Sequence, residues 1–172
     1  MNAPERSLPP LDADARTTAE SWLDFYRATL AQKCDGLTEP QLREVSAAPS
    51  SLTLLGLVQH MADVERYWFR NVLAQEGAPL NFGAAADGGA SAANSGFDLA
   101  EDATYEKSRL IWQAEIEHAR ENCATRALED TGVYRGNRVT LRWIYTHMTA
   151  EYARHCGHAD LIRERIDGST GV

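Results

Sequence analysis

The stretch from Thr140 to Ile166 reads as one long helix, because Leu141, Ile144, Tyr145, Met148, Tyr152, Ala159, Ile162 and Ile166 recur at helical spacing. Two ionisable side chains interrupt that apolar face. At ~100° per residue, Glu151 and His155 fall inside the stripe, and being four apart they point the same way from successive turns. A carboxylate and an imidazole buried without partners cost several kcal/mol, so a fold that accepts this helix must supply a compensating group. A divalent metal would serve, and His60, in the segment Thr53–Gln75, offers a third ligand.

Each signal has a plain alternative. Glu and His four apart are often a surface ion pair, and a lone histidine beside an apolar stripe is more often a hydrogen-bonded core residue. The placement of Glu151 and His155 within the apolar arc, together with His60 at the flank of another stripe, favours convergence on a helix seam. Two histidines and one carboxylate form a known zinc donor set that leaves a fourth position open to water or substrate. The residues do not distinguish zinc from nickel, iron or cobalt.

The rest of the chain supplies three more helices. Trp22, Phe25, Tyr26 and Leu30 share a face of a first helix from Asp12 to Cys34, stopped by Asp35-Gly36. Thr38-Glu39-Pro40-Gln41 resembles a capping box with proline in the first turn of a short helix. A second helix begins near Thr53 and ends before Gly77, with Leu54, Leu57, Val58, Met61, Val64, Trp68 and Val72 as its core stripe. Residues 77–97 are rich in Gly, Ala, Ser and Asn and read as a long surface loop, for which mobility is favoured over a role above a site mouth. A third helix is expected from Ala100 to Arg126, capped at Asp98–Glu101, with Tyr105, Trp112, Ile116, Ala119 and Cys123 inward. Gly132–Val139 suits a turn or small hairpin, and the fourth helix ends at Asp167-Gly168. The expected fold is all-α, a single-domain antiparallel four-helix bundle over residues 1–172, with 1–11 as a flexible lead and a long loop between helices two and three.

Composition excludes several classes. A net charge of −8 argues against nucleic acid, whose phosphates need a basic face. No apolar run approaches the ~18 residues needed to span a membrane. The first fifteen residues carry acids and prolines instead of a basic then apolar signal, so a cytoplasmic location is expected. Cys34, Cys123 and Cys156 are odd in number and widely spaced, and read as buried reduced thiols. A small-molecule substrate is the expected partner, and a homodimer is compatible with the sequence.

Other polar residues near the stripes admit the same two readings. His158 is expected to orient a ligand from behind, whereas His147 is expected to play no role; Cys156 points away from His155 and is rejected as a ligand. Glu65 lies in the apolar arc of the second helix, where orienting a ligand and pairing with an arginine are equally weighted. Glu115-Ile116-Glu117-His118 contains the Glu-x-x-His element of di-iron bundles, but that site needs two such elements and two further glutamates, and the fourth helix offers Glu-x-x-x-His instead. There is no His-Glu-x-x-His, no phosphate-binding glycine loop and no Gly-x-Ser-x-Gly.

Leu57-Val58-Gln59-His60-Met61-Ala62-Asp63-Val64-Glu65 and Glu151-Tyr152-Ala153-Arg154-His155-Cys156-Gly157-His158-Ala159-Asp160 resemble the DinB/YfiT-like metal-binding four-helix bundles, over nearly the whole length of the chain. Many members use one histidine on helix two and His-x-x-x-His on the last helix. Here Glu151 replaces the first of that pair, which resembles the mycothiol-dependent maleylpyruvate isomerase type; His158 stands where many relatives have Gln. The resemblance implies a divalent metal, zinc or nickel, held by His60, Glu151 and His155, and thiol-dependent transferase or isomerase chemistry on a small electrophile. The Arg- and Ala-rich composition, in which Lys33 and Lys107 are the only lysines, tips the implied thiol towards mycothiol. Two other readings compete: a non-catalytic, metal-stabilised bundle for small-ligand binding or stress, and a metal-free helical interaction module.

Overall fold

The computed structural model describes residues 6–82 and 95–171. Among these the chain is mostly helical. Helix α1 spans Ala15–Cys34 and starts where the Asp14 carboxylate accepts the N–H groups of Arg16 and Thr17 at 2.8 and 3.0 Å. It ends at Asp35, and Gly36 takes the left-handed conformation (φ 74°) that reverses the chain. The short α2, Glu39–Leu42, carries proline in its first turn, and the Gln41 side-chain oxygen accepts from both the N–H and the hydroxyl of Thr38, at 3.0 and 2.8 Å. Helix α3, Leu54–Glu65, is capped by the Thr53 hydroxyl, which accepts from Gly56 N–H at 3.0 Å. Every residue from Thr53 to Glu65 is buried, the signature of a helix enclosed on all sides.

The second expected helix is in fact α-helical and then π-helical. At Arg66 the winding widens, and the π segment Arg66–Leu73 follows α3 without interruption. This winding brings Trp68, Phe69, Val72 and Leu73 into the core. Helix α4 runs from Tyr105 to Ala124, capped by an extended Thr104, and not from Ala100 as the Asp98–Glu101 pattern predicts. Ala103 N–H instead bonds the Ala100 carbonyl at 3.1 Å, closing a turn that uses up the apparent first helical residues. Strands β1 (Thr131–Tyr134) and β2 (Asn137–Thr140) form an antiparallel hairpin, with Thr131 opposite Thr140. Its two-residue turn, Arg135-Gly136, has φ of 50° and 78°, as a turn matched to strand twist requires. Helix α5, Leu141–Asp167, closes the chain at Gly168 (φ 81°).

By density of contacts the chain falls into two units: Met1–Leu57 with Tyr145–Val172, and Val58–Ile144. In the first, α1 packs along α5. The Tyr145 hydroxyl donates to Glu20 at 2.9 Å, the Cys156 thiol to the Tyr26 carbonyl at 3.5 Å, and Arg163 to the carbonyls of Lys33 and Asp35 at 3.1 and 2.8 Å. The sequence separations of these pairs are 125, 130, 130 and 128. A nearly constant difference means that the two helices run in the same direction; antiparallel helices would keep a constant sum. The face α1 buries is Leu23, Leu30 and Cys34, and the aromatic face expected from sequence lies largely to one side, with Trp22 37% exposed. Trp22, Phe25 and Tyr26 pack on one another instead, with ring centres 5.4–6.0 Å apart, and Arg6 lies over Phe25 at 5.1 Å.

In the second unit, α3 and the π segment pack along α4 in the same sense. Gln59 donates to the Ser108 hydroxyl at 2.9 Å, Arg66 to Glu115 at 2.6 Å, and Asn122 to the Phe69 carbonyl at 3.3 Å, at separations of 49, 49 and 53. The antiparallel relation expected from sequence therefore fails for both pairs. The physical reason is the long connection between Leu73 and Tyr105, which lets the chain return to the end it left. The hairpin packs on the end of the π segment: a Cβ on Gly132 would stand 2.0 Å from the Val72 carbonyl oxygen, so only glycine fits there. Trp68 packs against Tyr134 and Trp143 at 4.9 and 5.3 Å.

Candidate metal centre

Helix α3 holds His60 in the buried interior, where its ring is ordered from two directions. Nδ1 lies 2.9 Å from the Ser95 carbonyl oxygen, and the ring stacks on Phe97 with centres 4.3 Å apart and planes 22° from parallel. A carbonyl only accepts, so Nδ1 carries the proton and donates it, and Nε2 is left with its lone pair. That is the arrangement by which outer hydrogen bonds fix ligating histidines.

Of the two α5 residues expected within the buried stripe, only His155 is buried. Glu151 is partly exposed, and His155 Nε2 stands 3.6 Å from Glu151 Oε2. The other nitrogen of His155, Nδ1, lies 3.4 Å from Nδ1 of His158, with the rings edge to face. His158 thus lies against His155 one turn along the helix. His147, expected to do nothing, places Nε2 3.7 Å from Glu151 Oε1; burial lowers its pKa, which Glu151 partly offsets. Glu65 is completely buried at the end of α3. It is not what orients the outer nitrogen of His60, since Ser95 occupies that position.

His60, Glu151 and His155 each offer one donor atom, and these atoms all lie within 4.8 Å of one another. Two neutral imidazoles and one carboxylate suit a borderline-soft divalent ion and keep a net positive charge on the site. The donor set fits such an ion.

The remaining polar residues have other work. Glu115 and His118 do not form half of a two-metal site. Glu115 accepts from Arg66 at 2.6 Å and Arg70 at 3.5 Å, and His118 faces Glu76 at 3.3 Å. Arg70 also pairs with Glu76 at 2.6 Å, which in turn accepts from Asn122 at 2.9 Å. Cys156 lies where burial pushes its thiol up to about 12, so it remains protonated and donates to Tyr26. Lys33 pairs with Asp160 at 2.8 Å.

Sequence reasoning missed Asp63, Ser95 and Phe97. Asp63 had a signal, a carboxylate three residues after His60 within an apolar run; Ser95 and Phe97 had none, lying in or beside a segment whose composition reads as loop. Residues 83–94, on which the expected loop mobility mainly rests, lie outside the described residues. No helix among the described residues is long and apolar enough to cross a membrane.

Comparison with curated proteins and with solved structures gives no match. A family model described as mycothiol-S-transferase, one of the DinB-like families, matches residues 18–168. The chain therefore belongs to the mycothiol-S-transferase family.

Proposed function

We propose that the protein is a cytoplasmic, metal-dependent enzyme, built as a four-helix bundle, that joins mycothiol or a similar low-molecular-weight thiol through its sulfur to a small electrophile, or uses that thiol to isomerise one. The metal ligands are His60, Glu151 and His155, with zinc first and nickel second among the ions the donors suit. One observation carries this reading: three donor atoms from His60, Glu151 and His155 stand within 4.8 Å of one another, and the outer nitrogen of His60 is already committed to a carbonyl. Family membership supplies the thiol.

A divalent ion held by three protein ligands offers an open position and lowers the pKa of a thiol bound there. The protein's own residues prepare that position. Ser95 fixes His60 as the Nδ1–H tautomer, so that Nε2 binds without first losing a proton. His158 braces His155 through its outer nitrogen. With a divalent ion bound, Glu151 would contribute the single negative charge, and the centre, at about +1, would still attract an anionic sulfur.

Elemental analysis of untagged protein, combined with a thiol-consumption assay on electrophiles with and without mycothiol, tests the reading. Wild-type protein should carry a stoichiometric divalent ion and consume mycothiol, and a His60→Ala/His155→Ala variant should do neither. Stoichiometric metal retained in that variant would overturn the ligand assignment. Metal present without mycothiol turnover would overturn the enzymatic one.

A further inference from the structure

Asp63 is wholly buried, three residues after His60 on α3. Its carboxylate accepts three donors from the connection between the π segment and α4. Asn81 N–H donates at 2.6 Å and Phe82 N–H at 3.1 Å, both to one side of residues 83–94, and the Ser95 hydroxyl donates from the other side. The same Ser95 presents its carbonyl to His60 Nδ1. Gly96 (φ 86°) then lies against the α3 backbone so closely that a Cβ there would stand 2.4 Å from His60 N and 2.6 Å from Gln59 C, and Phe97 stacks on the imidazole. Three consecutive links therefore join one carboxylate to one ring nitrogen: Asp63 to the Ser95 hydroxyl, Ser95 to its own carbonyl, and that carbonyl to Nδ1, whose proton sets the tautomer.

We infer that Asp63 is a positioning residue for His60: it anchors Ser95–Phe97 against α3 so that the Ser95 carbonyl holds the imidazole as the Nδ1–H tautomer, with its acceptor lone pair on Nε2. The inference rests on the metal reading given above, but the tautomer it concerns exists with or without a metal. A carboxylate suits this task because it accepts all three donors at once. A neutral amide would turn one acceptor into a donor, facing donors with a donor. Loss of such an outer hydrogen-bond partner commonly weakens metal binding 10–100-fold.

Two variants reach the same end by different routes. Asp63→Asn keeps size and shape and removes acceptor capacity. Gly96→Ala leaves the carboxylate untouched and forces the 95–97 segment off the backbone of His60. On metal-free protein, imidazole 15N shifts report the His60 tautomer; on the same samples, competition with a chelator reports zinc affinity. Wild-type protein should show Nδ1–H. Both variants should shift His60 towards Nε2–H and bind zinc about 10–100-fold more weakly, and Asp63→Glu, which keeps the acceptors, should recover part of the loss. The inference is overturned if Asp63→Asn keeps the Nδ1–H tautomer, or if it binds zinc within about twofold of wild type. A variant that merely destabilised the fold would lower the melting temperature without moving the tautomer. If wild-type protein binds no zinc, the metal reading fails, while the tautomer measurement still decides the role of Asp63.

Discussion

Replacing Glu115 by alanine should destabilise the fold and leave the proposed metal ligands untouched. The carboxylate is 4% exposed and holds two arginine side chains that are 16% and 21% exposed, Arg66 at 2.6 Å and Arg70 at 3.5 Å. Removing one member of a fully buried ion pair costs about 3–5 kcal/mol, mostly because the other charge is stranded. Two features reduce that figure here. Arg66 keeps the Pro79 carbonyl at 2.6 Å, and Arg70 keeps Glu76 at 2.6 Å. Water also reaches both guanidinium groups, which screens the exposed part of the interaction. An expected loss of about 2 kcal/mol remains, which for a chain of this size lowers the melting temperature by roughly 4–8 °C. Urea unfolding of Glu115→Ala, with a double-mutant cycle to Arg66→Met, measures it; the coupling should be about 1 kcal/mol or more. Stability within about 0.5 kcal/mol of wild type would refute the structural role. So would lost metal at unchanged stability, because Glu115 would then be a ligand.

Three further outcomes are expected. With its thiol raised from 9.0 to about 12, Cys156 should react with iodoacetamide at pH 8 about a thousandfold more slowly than an exposed thiol. A thiol whose folded pKa is raised contributes stability that is fully present below pH 9 and lost as pH climbs towards 12, so Cys156→Ala should flatten the alkaline side of the stability profile; an unchanged profile would refute this. Gly132→Ala would drive a Cβ to 2.0 Å from the Val72 carbonyl, so the hairpin must move at a cost of about 1–3 kcal/mol. Trp68 packs on that hairpin, and unchanged tryptophan fluorescence and melting temperature would show that the backbone yields more easily than the contact implies.

The long helices were legible because each buries a stripe at helical period. Leu141, Ile144, Met148, Tyr152, Ala159 and Ile162 are all buried, and Glu151 and His155 could be recognised as misplaced only against that pattern. Helix direction left no such trace, since a stripe reads the same whether its neighbour runs with it or against it. The face of α1 is legible only in part: Leu30 of the expected stripe is fully buried, but Trp22, Phe25 and Tyr26 have helical spacing yet pack on one another, while the smaller Leu23 and Cys34 complete the buried face. Ser95 and Phe97 were invisible for a different reason. One acts through its main-chain carbonyl, which every residue type possesses, and both lie near a stretch whose glycines and alanines read as connection.

The parallel course of α3 and α4 has a consequence for the residues that join them. To begin α4 at the end where α3 began, the chain must travel back along a rod whose 20 residues rise about 30 Å, a distance that roughly nine or ten extended residues can cover. The connection runs from residue 74 to residue 104 and so has some twenty more than the journey demands. Shortening it to the minimum would preserve the itinerary but omit the stopover at His60, and a shortened chain of this kind should fold as a helical protein with a misaligned imidazole.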